Sequence, residues 1–273
     1  MSQRWQARVS PEWSLQAWRA AARHAWQAGV PPESLDWLAG DALALIPAAE
    51  VLDAPILRAA PKVPQRFVEL AAQVLCHHDT QRFALLYRLL WRIAGGERHL
   101  LSRMTDADVR QAFVYAKAVG RDSHKMKAFV RFCELPGQCD DFVAWFEPEH
   151  WIVDRVAPFF ARRFAGMRWC LLTPYRSVRW DGEALQYEPG AERAAAVADD
   201  PMAQLWQTYY AHIFNPARLN PRMMQQEMPK KYWHLLPEAQ LLPKLIGEAG
   251  AKVAEMTSRP WQPPKRRLRK PPA

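Results

Sequence analysis

The chain has 273 residues and a mass of 31.5 kDa, with 37 Lys and Arg against 28 Asp and Glu, a formal net charge of +9. With 49% hydrophobic residues and 13 Trp it can bury a real core, which excludes a chain disordered over its whole length. Cys76, Cys133, Cys139 and Cys170 are too few and too scattered for a disulfide scaffold, no apolar run approaches a membrane span, and MSQRWQARVSPEW lacks the apolar core of a secretory leader, so the expectation is a soluble, cytoplasmic protein.

The first element is a helix from Trp13 to Trp26, stopped by Gly29-Val30-Pro31-Pro32, because its apolar residues recur at helical spacing. Pro47, Pro55, Pro61 and Pro64 punctuate the stretch that separates it from two further helices. The second of these carries an apolar stripe of Phe83, Leu86, Tyr87, Leu90 and Ile93, with Arg82, Arg88 and Arg92 off it and Gly95-Gly96 at its end. Thr105 and Asp108 have the spacing of a capping box and open a helix to about Val119.

The period then changes from helical to alternating. Ala128–Cys133 and Phe142–Phe146, separated by Pro136-Gly137, read as a hairpin. Pro148 suits the first position of a helix, which Pro158 must kink and Gly166 ends. Strands follow at Arg168–Thr173, Ser177–Trp180 and Ala184–Tyr187. Helices return near Pro201. The fold class expected is α+β: mainly helical with a central small antiparallel sheet in the order β-β-α-β-β-β. The expected organisation is one compact domain over 1–258, with a helical part (1–114), an α/β part (115–190) and a second helical part (191–258). Residues 259–273 are expected to form a disordered basic, Pro-rich tail.

The positive charge is unevenly placed. Residues 115–180 hold 11 basic and seven acidic residues, while 259–273 hold six basic residues and no acid. Such a balance points to a polyanionic partner, DNA first among them and an anionic membrane not expected. Lys127, Phe129 and Arg131 share one face of the expected strand, and Lys125, Lys127 and Arg131 are candidate phosphate contacts, extended by Arg155, Arg162, Arg163, Arg168, Arg176 and Arg179. Lys230 and Lys231 beside Tyr232 and Trp233 combine cations with stacking faces, which a single-stranded or flipped base requires.

Catalytic candidates are fewer. Asp122 and Glu149 could activate water, with His124 or His150 orienting it, in a glycosylase-like hydrolysis. The competing reading of Glu147 and Glu149 is electrostatic, since carboxylates at a helix start are favoured by its dipole. Cys76-His77-His78-Asp79 contains metal-ligand types, but adjacent side chains on a helix diverge and Asp79 suits a helix cap, so no metal is expected. No phosphate-binding glycine loop or serine-nucleophile elbow is present, and no cofactor is expected.

Four long stretches, QRFALLYRLLWRI (81–93), RDSHKMKAFVRF (121–132), residues 143–182 and residues 206–233, resemble a bacterial family assigned to DNA repair or DNA metabolism. The resemblance runs from about residue 10 to 250. It implies a domain of unknown function that occurs alone, encoded beside a radical-SAM DNA repair or modification protein, or fused ahead of a uracil-DNA glycosylase-like domain. This chain is similar to the stand-alone form. The resemblance adds weight to Asp122, His124, Lys125, Met126, Arg131, Glu147, Glu149 and His150, and transfers no catalytic role. Together these readings give a nucleoid-associated, DNA-binding accessory protein acting with a radical-SAM or glycosylase-type partner. The alternatives are a nucleobase glycosylase or related hydrolase, and a protein–protein adaptor without DNA contact.

Overall fold

A computed structural model describes residues 3–42, 48–134, 141–192, 211, 215 and 219–258. The fold is α+β. The chain divides into two compact units, Met1–Arg193 and Ala194–Ala273, where the sequence suggests one body over 1–258. The expected tail at 259–273 and the turn at Pro136-Gly137 lie outside the described residues.

The first unit opens with a strand, β1 (Trp5–Val9), and a helix, α1 (Leu15–Gln27). Ser14 caps α1 by accepting the Ala17 N–H at 3.1 Å, and Trp18, Ala21, Ala22 and Ala25 face inward at helical spacing. Gly29, at φ +73°, closes it in a conformation that glycine adopts without a Cβ clash. Then come β2 (Leu35–Ala39) and β3 (Ala49–Glu50), both parallel to β1 in a sheet ordered β2-β1-β3. This sheet corrects the all-helical reading of 1–114. Its strands are at most five residues long and carry few buried apolar positions, so their alternation is too brief to register.

Helices α2 (Gln65–Val74) and α3 (Gln81–Ala94) follow. The α3 stripe is buried as expected, and Tyr87 donates its hydroxyl to Val30 O at 2.6 Å. Helix α4 (Ala107–Phe129) is ten residues longer than the sequence suggests, 23 rather than ending near Val119. Its cap is Asp106, accepting the Val109 N–H at 3.1 Å, rather than a Thr105–Asp108 box. The inward stripe Val109, Ala112, Tyr115, Ala116, Val119, Asp122, Ser123 and Met126 continues to the end. Good helix formers at Lys125–Ala128 outweigh the strand-like Phe129–Cys133 that follows. Lys127, Phe129 and Arg131 therefore do not share a strand face: the first two are on the last turn of α4 and Arg131 lies just past it.

A mixed sheet of five strands occupies the rest of the unit, ordered β4 (Cys133–Glu134), β5 (Asp141–Trp145), β6 (Arg168–Leu172), β7 (Arg176–Trp180) and β8 (Leu185–Pro189). The element order β-β-α-β-β-β is the expected one, but β5 and β6 are parallel and the other pairs antiparallel. Helix α5 (Val153–Arg163) makes the crossover that a parallel pair needs. It begins five residues after Pro148 and retains Pro158 inside. Tyr175, from the β6–β7 turn, accepts the Val153 N–H at 2.7 Å and so serves as its cap. Phe160, Trp169, Leu171 and Val178 fill the space between α5 and the sheet.

In the second unit, α6 (Pro221–Glu227) is capped by Asn220, which accepts the Met223 N–H at 3.1 Å. Two 3-10 turns, Lys230–Leu235 and Pro237–Leu241, lead into α7 (Leu242–Ser258). Among the described residues no helix is long and apolar enough to cross a membrane.

Candidate functional site

The turn between α2 and α3 and the loop between β5 and α5 meet in the first unit. After Val74 the chain leaves the helix, with Cys76 N–H on Gln73 O at 3.1 Å and His77 N–H on Val74 O at 2.9 Å. The turn then bends through His77, His78 and Asp79. Asp79 accepts the Gln81 N–H at 2.8 Å, so it caps α3 as expected, and it accepts the Tyr115 hydroxyl of α4 at 2.5 Å. Arg82, fully buried, donates to the carbonyls of Leu75 (3.0 Å), His78 (3.3 Å), Asp79 (3.0 Å) and Glu12 (3.0 Å), and pairs with the Glu12 carboxylate at 2.8 Å. A cation expected off the apolar stripe is thus inside, where it holds the whole turn in place.

The opposite loop is not the helix start that Pro148 suggests. Residues 147–152 are irregular, and their backbone donors find partners outside the loop. His150 N–H donates to Asp122 Oδ2 of α4 at 3.0 Å, and Trp151 N–H donates to Cys76 O at 2.8 Å. These two bonds bring His150 against the histidines of the turn.

Three imidazoles gather there, His77 and His150 buried and His78 exposed, each offering a ring nitrogen within 4.8 Å of the others. The Nδ1 atoms of His78 and His150 are 3.0 Å apart. Two lone pairs cannot face each other at that distance, so one nitrogen carries a proton. His150 Nδ1 also faces the His78 N–H, at 3.4 Å, which makes His150 the acceptor and His78 the donor. His77 stacks on Tyr115 with ring centroids 3.9 Å apart, and its Nδ1 accepts the Asp79 N–H at 3.1 Å.

Electrostatics keep His77 uncharged at neutral pH. Burial, then the neighbouring His150 and His78, lower the His77 pKa to about 4, so its imidazole is neutral. Burial and the adjoining Asp79 carboxylate push the Tyr115 hydroxyl up to about 12. Burial raises Asp79, but the Tyr115 hydroxyl and the Gln81 N–H outweigh it and leave its pKa lowered, so it stays ionised. Burial lifts the Cys76 thiol to about 11, so it is no thiolate nucleophile.

Of the catalytic candidates, Asp122 and His150 are joined by a hydrogen bond. Asp122 Oδ2 accepts the His150 backbone N–H. His124 is exposed; two residues from Asp122 on a helix it faces elsewhere. Glu149 is exposed, and Glu147 accepts the Trp145 indole N–H at 2.8 Å. Asp122, buried, and His124, exposed, face different sides of α4 and do not form a pair. His77, His78, Asp79, Tyr115 and Arg82 were the residues to find. Cys-His-His-Asp was the signal, and it reads as divergent only if the segment is helical.

The binding candidates fare variously. On α4, Arg110, Lys117, Arg121, His124 and Lys127 are exposed and Lys125 half-buried. Between Asp108 and Glu134 the sequence has one acid, Asp122, and it is buried. Lys127 Nζ lies 5.0 Å from the Phe159 ring of α5, and Arg162 and Arg163 are exposed on that helix's last turn. Arg131 instead turns back on α4, donating to Ala128 O at 2.9 Å. Arg168 and Arg176 pair with Asp141 (2.8 Å) and Asp154 (3.1 Å), which removes them from the expected basic surface. In the second unit Lys230 and Lys231 are exposed, but Tyr232 is 2% exposed and cannot offer a stacking face. Trp233 is half-buried, its indole donating to Met228 O at 3.0 Å.

A family model described as a domain of unknown function, DUF4130, matches residues 80–238. The match takes in Tyr115, Asp122 and His150 and begins just after Asp79. No curated protein and no solved structure matches the chain.

Proposed function

The chain belongs to the family of the domain of unknown function DUF4130, and from that premise we propose that it is a DNA-binding accessory protein in DNA repair or base modification. The observation that carries this reading is the outer face of α4. Arg110, Lys117, Arg121 and Lys127 are exposed along it while the only carboxylate of the segment, Asp122, is turned inward. A helix face with cations and no acid attracts phosphates and favours a polyanion without specifying its sequence. Arg162 and Arg163 on α5, which packs on α4, add to the same kind of surface. The repair context, the radical-SAM or glycosylase-type partner and the nucleoid location rest on the resemblance of the four long stretches.

The test is fluorescence anisotropy with labelled single-stranded and duplex oligonucleotides at several salt concentrations. Affinity is expected to fall steeply as salt rises. Replacing Lys117 and Arg121 together by Glu is expected to lower the slope of log K against log salt by about 2 on duplex DNA, near 0.9 for each phosphate no longer neutralised. A flat salt response in the unmodified protein overturns the reading.

A further inference from the structure

We propose that His77, His78 and His150 bind one divalent transition-metal ion of the zinc class. The ring nitrogens already converge. In tetrahedral zinc sites with Zn–N bonds of about 2.0–2.1 Å, ligand nitrogens are about 3.3 Å apart. The His78 and His150 Nδ1 atoms, at 3.0 Å, stand at nearly that spacing. The third nitrogen, within 4.8 Å of these two, has to close by roughly 1.5 Å at most to match the tetrahedral spacing.

The proton shared by His78 and His150 occupies the place of the ion. On binding, both Nδ1 lone pairs turn to the metal, and the His78 Nδ1 proton passes through solvent to its own Nε2, so that the ligand is a neutral imidazole.

The donor set selects the class of ion. Three imidazoles without a carboxylate suit zinc, cobalt, nickel or copper, whereas magnesium and calcium require oxygen ligands. The neighbouring Asp79 carboxylate is engaged by Tyr115 and by the α3 backbone. The Cys76 thiol points away, donating to Ala72 O at 3.4 Å.

The supports are those of a site that binds without rearranging its backbone. Arg82 fixes the turn that bears His77 and His78, Asp122 fixes the amide of His150, and Trp151 N–H on Cys76 O ties the two loops together. The exposure of His78 leaves a fourth position on the solvent side, where water completes the shell, as in zinc sites that act on a substrate.

The experiment uses the full-length protein stripped with a chelator, titrated with zinc by calorimetry and with cobalt by visible absorption. One equivalent of zinc is expected, with tetrahedral cobalt bands and no competition from magnesium. His78→Ala, at an exposed position and so compatible with folding, is expected to weaken zinc binding by at least about 100-fold, the upper end for removing even a residue that only supports a ligand. His99→Ala, at an exposed histidine outside the cluster, is expected to leave it unchanged. Circular dichroism verifies that each variant is folded. Failure of the unmodified protein to take up stoichiometric zinc overturns the proposal. So does undiminished affinity in folded His78→Ala, which would put the ion elsewhere, such as at the cysteine thiols. Neither result depends on DNA, so this assignment and the nucleic-acid reading stand or fall separately.

Discussion

A guanidinium with no solvent exposure must find partners among protein oxygens, and Arg82 does so with four carbonyls and the Glu12 carboxylate. Removing it leaves those acceptors buried around a void, and the Glu12 charge without its buried partner. Loss of one member of a buried pair costs about 3–5 kcal/mol, so Arg82→Ala should lower the urea midpoint by a corresponding amount. Arg82→Lys should recover little of this, because a single ammonium cannot reach the dispersed carbonyls that the planar fork spans. A melt indistinguishable from the unmodified protein would mean that the turn is held by other contacts.

At the level of elements, α3 and α4 are joined by a charged knot. Arg92 pairs with Glu97 at 2.9 Å and Asp106 at 2.7 Å, and Arg103 pairs with Glu97 at 2.8 Å. Hydrogen bonding from Arg92 lowers the pKa of both carboxyls. A carboxyl lowered in the folded state adds stability that is present above its unfolded pKa, near 4, and disappears as pH falls through the folded value. Arg92→Gln should therefore be less stable than the unmodified protein at pH 7, with the difference closing towards acid pH. Urea titrations at a series of pH values measure it, and a difference that persists undiminished in acid would assign the effect to packing. The pairs are partly solvated, so the effect should be modest.

How much of these elements could be read from the sequence depended on whether local pattern and tertiary surroundings agreed. The stripe Phe83, Leu86, Tyr87, Leu90 and Ile93 fixes α3 because both do. At Ala128–Cys133 they disagree: the β-branched and aromatic run suggests a strand, while the buried stripe ending at Met126 carries the helix on to Phe129 and leaves only Cys133 in a strand. Asp122 and His150 are legible as candidate acid–base groups, though not as neighbours. His77 and His78 are legible as metal-ligand types, but their convergence on His150 is not, because it requires a turn after Val74 and a loop 72 residues further on, and spacing along one element encodes neither. Arg82 looked like a surface cation, since a sequence does not announce five acceptors contributed by two distant segments.

For the whole molecule, the relevant quantity is where the charge resides. Residues 259–273 carry six of the net nine positive charges, so the remainder of the chain is close to balance and its excess lies in 115–180. A protein ending at residue 258 should lose nonspecific DNA affinity, with the salt slope on duplex DNA falling by at most about 5 if every tail charge meets a phosphate. The remaining affinity should still respond to replacement of Lys117 and Arg121 by Glu. If nothing measurable remains after truncation, the outer face of α4 is not a binding surface.

The length and straight run of α4 carry a geometric consequence. Its 23 residues span about 34 Å at 1.5 Å per residue. On the inner side, two bonds seven residues apart, Tyr115 to Asp79 and Asp122 to the His150 amide, grip it at points about 10 Å apart. A rod gripped at two points along one side is keyed against rolling about its own axis. The azimuth at which Lys117 and Arg121 meet the outside is therefore set by the buried stripe together with the histidine loops, which tie the orientation of the cationic row to residues that lie outside it.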